Sequence, residues 1–221
     1  MKILSMFAAV LVALALAGAA PVAAQTGGSN EAASENGQKS DAERIRDAIQ
    51  NDPLAPTIEP ENHDVTIVMF TDYQCPYCRR MHSTLQELLK EDDKVKLVYR
   101  DWPIFGGASD RAAKAAIASQ YQGKYAAFND ALMRATGKLS SRAIRDAADE
   151  AGVDWVQLQV DMKAHEDEID ALLDRSRKQA ALLGFTGTPG LLIGPFRIAG
   201  ALDAENLREA VKAARGENAS D

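Results

Sequence analysis

The chain has 221 residues, of which 46% are hydrophobic and 26% charged, and its formal net charge at pH 7 is −7. This composition supplies enough apolar material for a packed core, and the length fits one domain of moderate size or one domain with an insertion. The negative net charge and the lack of a basic stripe in the sequence argue against nucleic acid as a partner.

The N-terminus has the layout of a secretory signal peptide. Lys2 precedes a run from Ile3 to Ala20 that is apolar apart from Ser5, and Val22 and Ala24 occupy the small-residue positions before a cleavage site. A retained membrane anchor is the alternative, although the apolar run is close to the lower length limit for a membrane span. We therefore expect an exported, periplasmic protein, which enters an oxidising compartment where disulfides form and persist.

The next segments connect this signal to the folded part. Residues 25–40 are small and polar, which indicates a flexible linker. Residues 41–52 carry two isoleucines one turn apart, and Asp41 is able to cap the start, so we predict a short amphipathic helix ended by Pro53. Further prolines predict an extended connection to about residue 60.

A strand, a helix and a second strand follow. The run VTIVMF at 65–70 is almost entirely apolar and rich in β-branched residues, which favours a central strand buried on both faces. Helical spacing of apolar residues predicts a helix over 76–90, and alternation predicts a strand over 94–101. These three elements make a βαβ unit.

Helical patterns then fill the chain from about residue 109 to 183, with two helices that part near Gly123. Strand patterns return at 190–194 and 196–200, and a final helix is predicted at 203–215. The order of βαβ, helices and ββα predicts an α/β protein with a thioredoxin fold and an inserted helical domain. The expected divisions are a signal peptide (1–24), a linker (25–40), an N-terminal helix and extended connection (41–60), the first part of the thioredoxin domain (61–107), the helical insertion (108–183) and the second part of the domain (184–216).

Cys75 and Cys78 are the only two cysteines of the chain, and they lie in one CPYC loop between the predicted strand and helix. A structural disulfide that closes so short a loop would stabilise the fold little. A zinc site needs further ligands, and the three histidines show no recognisable spacing. Haem attachment needs a histidine directly after the second cysteine, where Arg79 stands. A dithiol redox centre between a strand and a helix is the preferred interpretation.

The spacing also predicts a role for each residue of the loop. Cys75 at the start of the helix benefits from free N–H groups and the helix dipole, which favour a thiolate, so we expect it to be the exposed nucleophile. Cys78 is then the resolving thiol, and exchange passes through a mixed disulfide on Cys75. Pro76 suits the first helical position, and Pro76 and Tyr77 are expected to tune the redox balance. His82, one turn further on, is expected to be solvated. We expect no metal and no cofactor apart from the Cys75–Cys78 disulfide.

A second candidate site is the Thr188-Pro189 dipeptide, which stands immediately before a predicted strand. An ordinary trans bond is the commoner state of such a dipeptide. The functional interpretation is a cis-proline loop that faces the cysteines and presents the backbone N–H and C=O of Thr188 to an extended substrate.

Three motifs in order, FTDYQCPYC, the stretch that begins YRDWPIFGG, and GTPGLLIG, resemble the DsbA-like branch of the thioredoxin superfamily over about residues 60–215. The CPYC loop and the short preceding helix resemble its smaller exported members. The resemblance implies a periplasmic thiol–disulfide oxidoreductase, with the cis-proline at Pro189 and substrate backbone contacts at Thr188. Many members carry a buried glutamate six residues before the first cysteine, where this chain has Met69. Asp72 is nearby and is expected to lie closer to solvent.

The preferred function is therefore a dithiol oxidase that donates its disulfide to unfolded or partly folded exported proteins, with a quinone-linked membrane oxidase as its redox partner. The alternative is an isomerase or reductase that a membrane partner keeps reduced. Helix 41–52 favours this alternative if it makes the protein a homo-oligomer. A third possibility is a surface binding module or chaperone that retains the fold without turnover.

Overall fold

The computed structural model describes residues 39–218, so the predicted signal peptide and nearly all of the predicted linker lie outside the described residues. No helix of the described part is long and apolar enough to cross a membrane. The helices are α1 (Asp41–Gln50), α2 (Pro76–Glu91), α3 (Gly107–Ala118), α4 (Tyr125–Arg134), α5 (Ser141–Glu150), α6 (Trp155–Ala164), α7 (Glu166–Leu182) and α8 (Ala204–Asn218). The strands are β1 (Thr57–Ile58), β2 (Val65–Thr71), β3 (Val95–Asp101), β4 (Gly190–Ile193) and β5 (Phe196–Ala199).

The strands form one five-stranded sheet in the order β1-β3-β2-β4-β5, with β2 at its centre. β2 and β3 are parallel and are joined by α2, which confirms the βαβ unit. β4 runs antiparallel to β2 and to β5, and α8 follows, which confirms the ββα unit. The fold is therefore the expected thioredoxin arrangement, with helices α3 to α7 inserted between β3 and β4. β1 was not predicted; it pairs antiparallel with β3 at the sheet edge, within the expected extended connection.

The central strand is buried on both faces, as its almost wholly apolar sequence predicted. Ile67 and Met69 pack in the larger core cluster, together with the inward face of α2 and the helical insertion. Val68 and Phe70 point to the opposite face and pack in a smaller cluster that includes Ile49 of α1. Burying a side chain of this size contributes about 1.5–3 kcal/mol, so several buried side chains anchor β2 directly before the cysteine loop.

Helix α1 packs against the second face of the sheet. Ser40, rather than Asp41, caps the helix, because the Ser40 hydroxyl accepts the N–H of Glu43 and the Glu43 carboxylate reaches back to the Ser40 N–H. The apolar side of the helix faces inward: Ile49 is fully buried and Ile45 packs partly against the same cluster. In the described part of the chain, the apolar residues of α1 thus serve the protein's own core.

A buried ion pair fixes the end of α1 to the sheet. The guanidinium of Arg100, in β3, donates to the Asp52 carboxylate at 2.8 Å and to the Ile49 carbonyl at 2.7 Å. Arg175 of α7 donates to the same carboxylate at 2.7 Å. Burial raises the pKa of Asp52, but the hydrogen bonds from Arg100 and from the Leu54 N–H outweigh it, so the pKa is lowered overall.

Candidate active site

The two cysteines occupy the junction between β2 and α2. Cys75 is the N-cap of α2, and Pro76 is the first helical residue, as predicted. The backbone N–H of Cys78 donates to Cys75 Sγ at 3.4 Å, which is the hydrogen bond of an N-cap side chain. A sulfur at this position accepts a hydrogen bond and lies at the positive end of the helix dipole. Both interactions are of the kind that stabilises a thiolate.

The exposure of Cys75 differs from the expectation. Only 3% of its surface is exposed, so the thiol is not the open nucleophile that the sequence indicated. Thr188 accounts for part of this cover, because the Cys75 thiol donates to the Thr188 carbonyl oxygen at 3.3 Å. Tyr77 is instead the exposed residue of the loop, at 57%, with the Arg80 guanidinium 4.4 Å from the centre of its ring.

The loop before β4 lies against the cysteines, as expected. The Thr188–Pro189 bond is cis, and the Pro189 carbonyl accepts the N–H of Gly200 at 2.9 Å. Gly190 then begins β4 and pairs with Phe70 of β2. These contacts bring Thr188 to Cys75, although 113 residues separate them in the chain.

Cys78 is the more deeply buried thiol, with none of its surface exposed. Burial raises the pKa of Cys78 to about 12, and the neighbouring Cys75 sulfur adds to the rise. Three donors act in the opposite direction, namely the backbone N–H of Asp72 and the hydroxyls of Thr188 and Thr71. The balance leaves Cys78 protonated at neutral pH.

Asp72 is buried, with 1% of its surface exposed, which corrects the expectation that it lies closer to solvent. Its carboxylate accepts the N–H groups of Gln74 and Ile104, both at 2.7 Å, that of Phe105 at 3.1 Å, and the hydroxyl of Ser109 at 2.6 Å. The carboxylate therefore ties the cysteine loop to the segment that leads into α3. The sequence contained a signal for part of this, since aspartate commonly accepts the N–H two residues later in a turn.

The segment held by Asp72 presents apolar surface beside the cysteine loop. Ile104 is 40% exposed and Phe105 is 52% exposed. The Gln74 side chain adds a second tie, because its amide donates to the Phe105 carbonyl at 3.3 Å. Large exposed apolar side chains next to a reactive group indicate a surface that contacts a partner.

A second buried carboxylate lies on the neighbouring strand. Asp101 ends β3 in register with Thr71, and the Tyr125 hydroxyl donates to it at 2.8 Å. Burial raises the pKa of Asp101 to about 7; hydrogen bonds from Tyr125 and Tyr73 lower it, and the charge of Asp72 raises it further. No sequence pattern had singled out this residue.

His82 is buried, which corrects the expectation of a solvated position. Its Nε2 lies 2.9 Å from the Asp130 carboxylate of α4, so it joins the active-site helix to the insertion. Burial lowers the pKa of His82, and the bond to Asp130 opposes this without reversing it. Within residues 39–218, no three His, Cys, Asp or Glu side chains are grouped as metal ligands would be.

The family model described as thioredoxin matches residues 57–213. The chain belongs to the thioredoxin family. This range includes both the CPYC loop and the cis-proline loop. It also includes the whole helical insertion, so the insertion is part of the family pattern.

Solved thioredoxin-family structures share this architecture. A thioredoxin-like oxidoreductase from Silicibacter pomeroyi DSS-3 is 44% identical, with a TM-score of 0.73 over 77% of this chain and 98% of that one. The thiol-disulfide exchange protein alpha-DsbA2 from Wolbachia pipientis is 32% identical, with a TM-score of 0.73 over 77% and 92%. A periplasmic thioredoxin-like protein from Salmonella enterica serovar Typhimurium is 27% identical, with a TM-score of 0.72 over 81% and 99%. These neighbours confirm the DsbA-like resemblance and, at the level of the family, the class of thiol–disulfide oxidoreductase.

Curated relatives are longer proteins. The Na(+)/H(+) antiporter NhaA 1 of Mycolicibacterium gilvum is 27% identical over 175 residues, a match that covers 77% of this chain and 27% of that protein. The chain thus spans about a quarter of the length of the curated relatives it matches.

Proposed function

We propose that the protein is a periplasmic thiol–disulfide oxidoreductase that acts on exported proteins, with Cys75 as nucleophile and Cys78 as resolving thiol. One observation carries the proposal: Cys75 Sγ caps α2 and lies 3.4 Å from the Cys78 N–H and 3.3 Å from the Thr188 carbonyl. A thiol at a helix N-terminus, next to backbone that is able to pair with a peptide, supports these roles.

The exchange requires two displacements. A substrate thiolate attacks Cys75 Sγ of the oxidised protein, the Cys75–Cys78 bond breaks, and its electron pair leaves on Cys78 Sγ, which then takes a proton. A second substrate thiolate attacks the substrate sulfur of the mixed disulfide and releases Cys75 as a thiolate. The substrate dithiol becomes a disulfide, and the protein is left with both cysteines as free thiols, which is the state of this structure.

The surroundings of Cys75 favour a partly unfolded protein as substrate. Tyr77, Ile104 and Phe105 expose apolar surface at or next to the cysteine loop, which suits side chains that a folded protein would bury. The backbone of Thr188 supplies hydrogen-bonding groups that suit an extended segment, and the role of Pro76 and Tyr77 is to tune the redox balance between the thiols. An unfolded chain supplies both the apolar side chains and the extended backbone, whereas a small-molecule disulfide supplies neither.

The direction that we propose is oxidation of the substrate. The helix N-terminus and the Cys78 N–H stabilise the Cys75 thiolate, which stabilises the reduced protein and makes its disulfide a stronger oxidant. The oligomer that would favour isomerisation finds no support in α1, because Ile45 and Ile49 pack in the core. Turnover requires an oxidant that takes two electrons from the dithiol, and a quinone-linked membrane oxidase fits a periplasmic location.

Export is proposed from two separate facts. Residues 1–24 have the pattern of a cleavable signal peptide, and one solved relative is described as periplasmic. An oxidising compartment is also where a disulfide donor has substrates to act on.

Two measurements test the function. Reduced, unfolded ribonuclease A should regain activity when mixed with the oxidised protein, and Cys75→Ser should abolish this. Cys78→Ser should instead be mixed with scrambled ribonuclease A, whose disulfides the Cys75 thiolate attacks, and mixed disulfides on Cys75 should accumulate because no resolving thiol is present. The reduction potential, from equilibration with glutathione buffers, should lie above about −180 mV. A potential near or below about −230 mV would establish the reductase or isomerase instead. Equal activity of Cys75→Ser and wild type would contradict the proposed site, and an inactive wild type would favour a binding module.

A further inference from the structure

We infer that Thr71 is a positioning residue for the thiol exchange: its hydroxyl, with that of Thr188, holds and stabilises Cys78 Sγ while that sulfur carries negative charge. The inference rests on the proposed role of Cys78 as the resolving and leaving thiol. It assigns a function to two hydroxyl groups that the fold itself does not use.

The position of Thr71 follows from the pleat of β2. Side chains two residues apart point to the same face of a strand, so Thr71 lies on the face that carries Ile67 and Met69. That face holds the larger core cluster, to which Cys78 also belongs. Thr71 is the last residue of β2, next to the N-terminus of α2, and 1% of its surface is exposed.

The two hydroxyls are in an unusual state. Thr71 Oγ1 and Thr188 Oγ1 are both buried, and within the described residues neither has a hydrogen-bond partner of ordinary length. Both nevertheless lie near enough to Cys78 to lower the pKa of its thiol, as donors to the ionised sulfur would. A buried hydroxyl without a partner costs about 1–3 kcal/mol, so two of them beside one thiol indicate a partner that forms only in another state.

The reaction supplies that state. When the Cys75–Cys78 bond breaks, the electron pair leaves on Cys78 Sγ, which no solvent reaches. Donors that lie near the place where charge develops, in a site without water, stabilise the transition state once they turn towards that charge. The backbone N–H of Asp72 is the third such donor, and the two hydroxyls complete the set. In the reverse direction, the same three donors stabilise the Cys78 thiolate that attacks the mixed disulfide.

Thr71 is the cleaner probe of the pair, because the Thr188 backbone also contacts Cys75. Thr71→Val keeps the β-branched shape and the backbone pairing with Asp101, and removes only the hydroxyl. Thr71→Ser keeps the hydroxyl and removes the methyl group. A role in packing makes the serine variant the weaker one, whereas a role as donor makes the valine variant the weaker one.

The test is the single-turnover rate at which dithiothreitol reduces the oxidised protein, followed by tryptophan fluorescence in stopped flow. We expect Thr71→Val to react about 10- to 100-fold more slowly than wild type and Thr71→Ser to stay within about threefold. The equilibrium constant with glutathione should change less than about twofold in both, because Cys78 is protonated in the reduced protein at neutral pH.

Three results would overturn the inference: a normal rate for Thr71→Val, equal slowing in both variants, or an equilibrium constant that changes in step with the rate. The proposed function is judged separately. A normal Thr71→Val together with an inactive Cys75→Ser removes only the role of Thr71, whereas an active Cys75→Ser removes the site itself.

Discussion

Asp101→Asn should change how the stability of the protein depends on pH. Burial raises the pKa of Asp101 from the ordinary 3.8 to about 7, so the folded protein holds this proton more tightly than the unfolded chain does. The stabilisation of the folded protein by this proton is complete below about pH 4 and is lost as the pH rises to about 7. Above about pH 7, Asp101 causes no further change in the free energy of unfolding. The difference in pKa corresponds to about 4 kcal/mol. Asparagine does not ionise, and it keeps an oxygen for the Tyr125 hydroxyl, so the variant should lack this loss.

The measurement is urea unfolding of both proteins at several values between about pH 4 and pH 8. The difference between the two free energies of unfolding is the quantity to follow, because other titrating groups contribute equally to both. As the pH rises, the free energy of unfolding of Asp101→Asn should increase by about 4 kcal/mol relative to that of wild type. Tyr125→Phe is the matched control, since removing a hydroxyl that lowers the pKa of Asp101 should extend the loss above pH 7. Two parallel stability curves for wild type and Asp101→Asn would refute the reasoning.

Two further predictions concern buried charge. Asp52→Ala should lower the free energy of unfolding by about 3–5 kcal/mol because it leaves the buried guanidinium of Arg100 without its carboxylate, whereas Glu91→Ala, which breaks an ion pair with Arg208 in which both side chains are about half exposed, should cost no more than about 1 kcal/mol. Equal losses in urea unfolding would contradict this. His82→Gln should remove the part of the stability that wild type loses as the pH falls below about 6.5, because the pKa of His82 is lowered on folding and the unfolded chain takes up the proton first. Unfolding midpoints at about pH 5 and pH 7.5 measure this, and an unchanged pH dependence in the variant would show that His82 is not responsible.

Local patterns were sufficient for the elements around the cysteines. The apolar run that became β2 has enough length and β-branching to select a buried central strand. The start of α2 was predictable because Pro76 directly follows Cys75 and fits only the first turn of a helix. The cis bond before Pro189 was predicted from its place before a strand and from the family resemblance.

Contacts between distant segments could not be predicted in the same way. The burial of Cys75 depends on Thr188, which comes 113 residues later, and the burial of His82 depends on α4. β1 has two residues and exists only because β3 offers it an edge. The role of Asp72 required the return of the chain near Ile104. Each of these features is a tertiary contact that leaves no periodic trace in the sequence.

The buried polar groups of the site share one place in the fold, and this suggests why they persist. Thr71 and Asp72 stand at the carboxyl end of β2 and Asp101 at the carboxyl end of its parallel neighbour, with at most 3% of any of them exposed. In α/β sheets this edge is where reactive groups gather, because strands end there and helices begin. Elsewhere in the core, such groups would only cost stability. An apolar replacement at Thr71 should therefore yield a more stable protein with a slower exchange, which is the trade-off expected of a residue kept for chemistry.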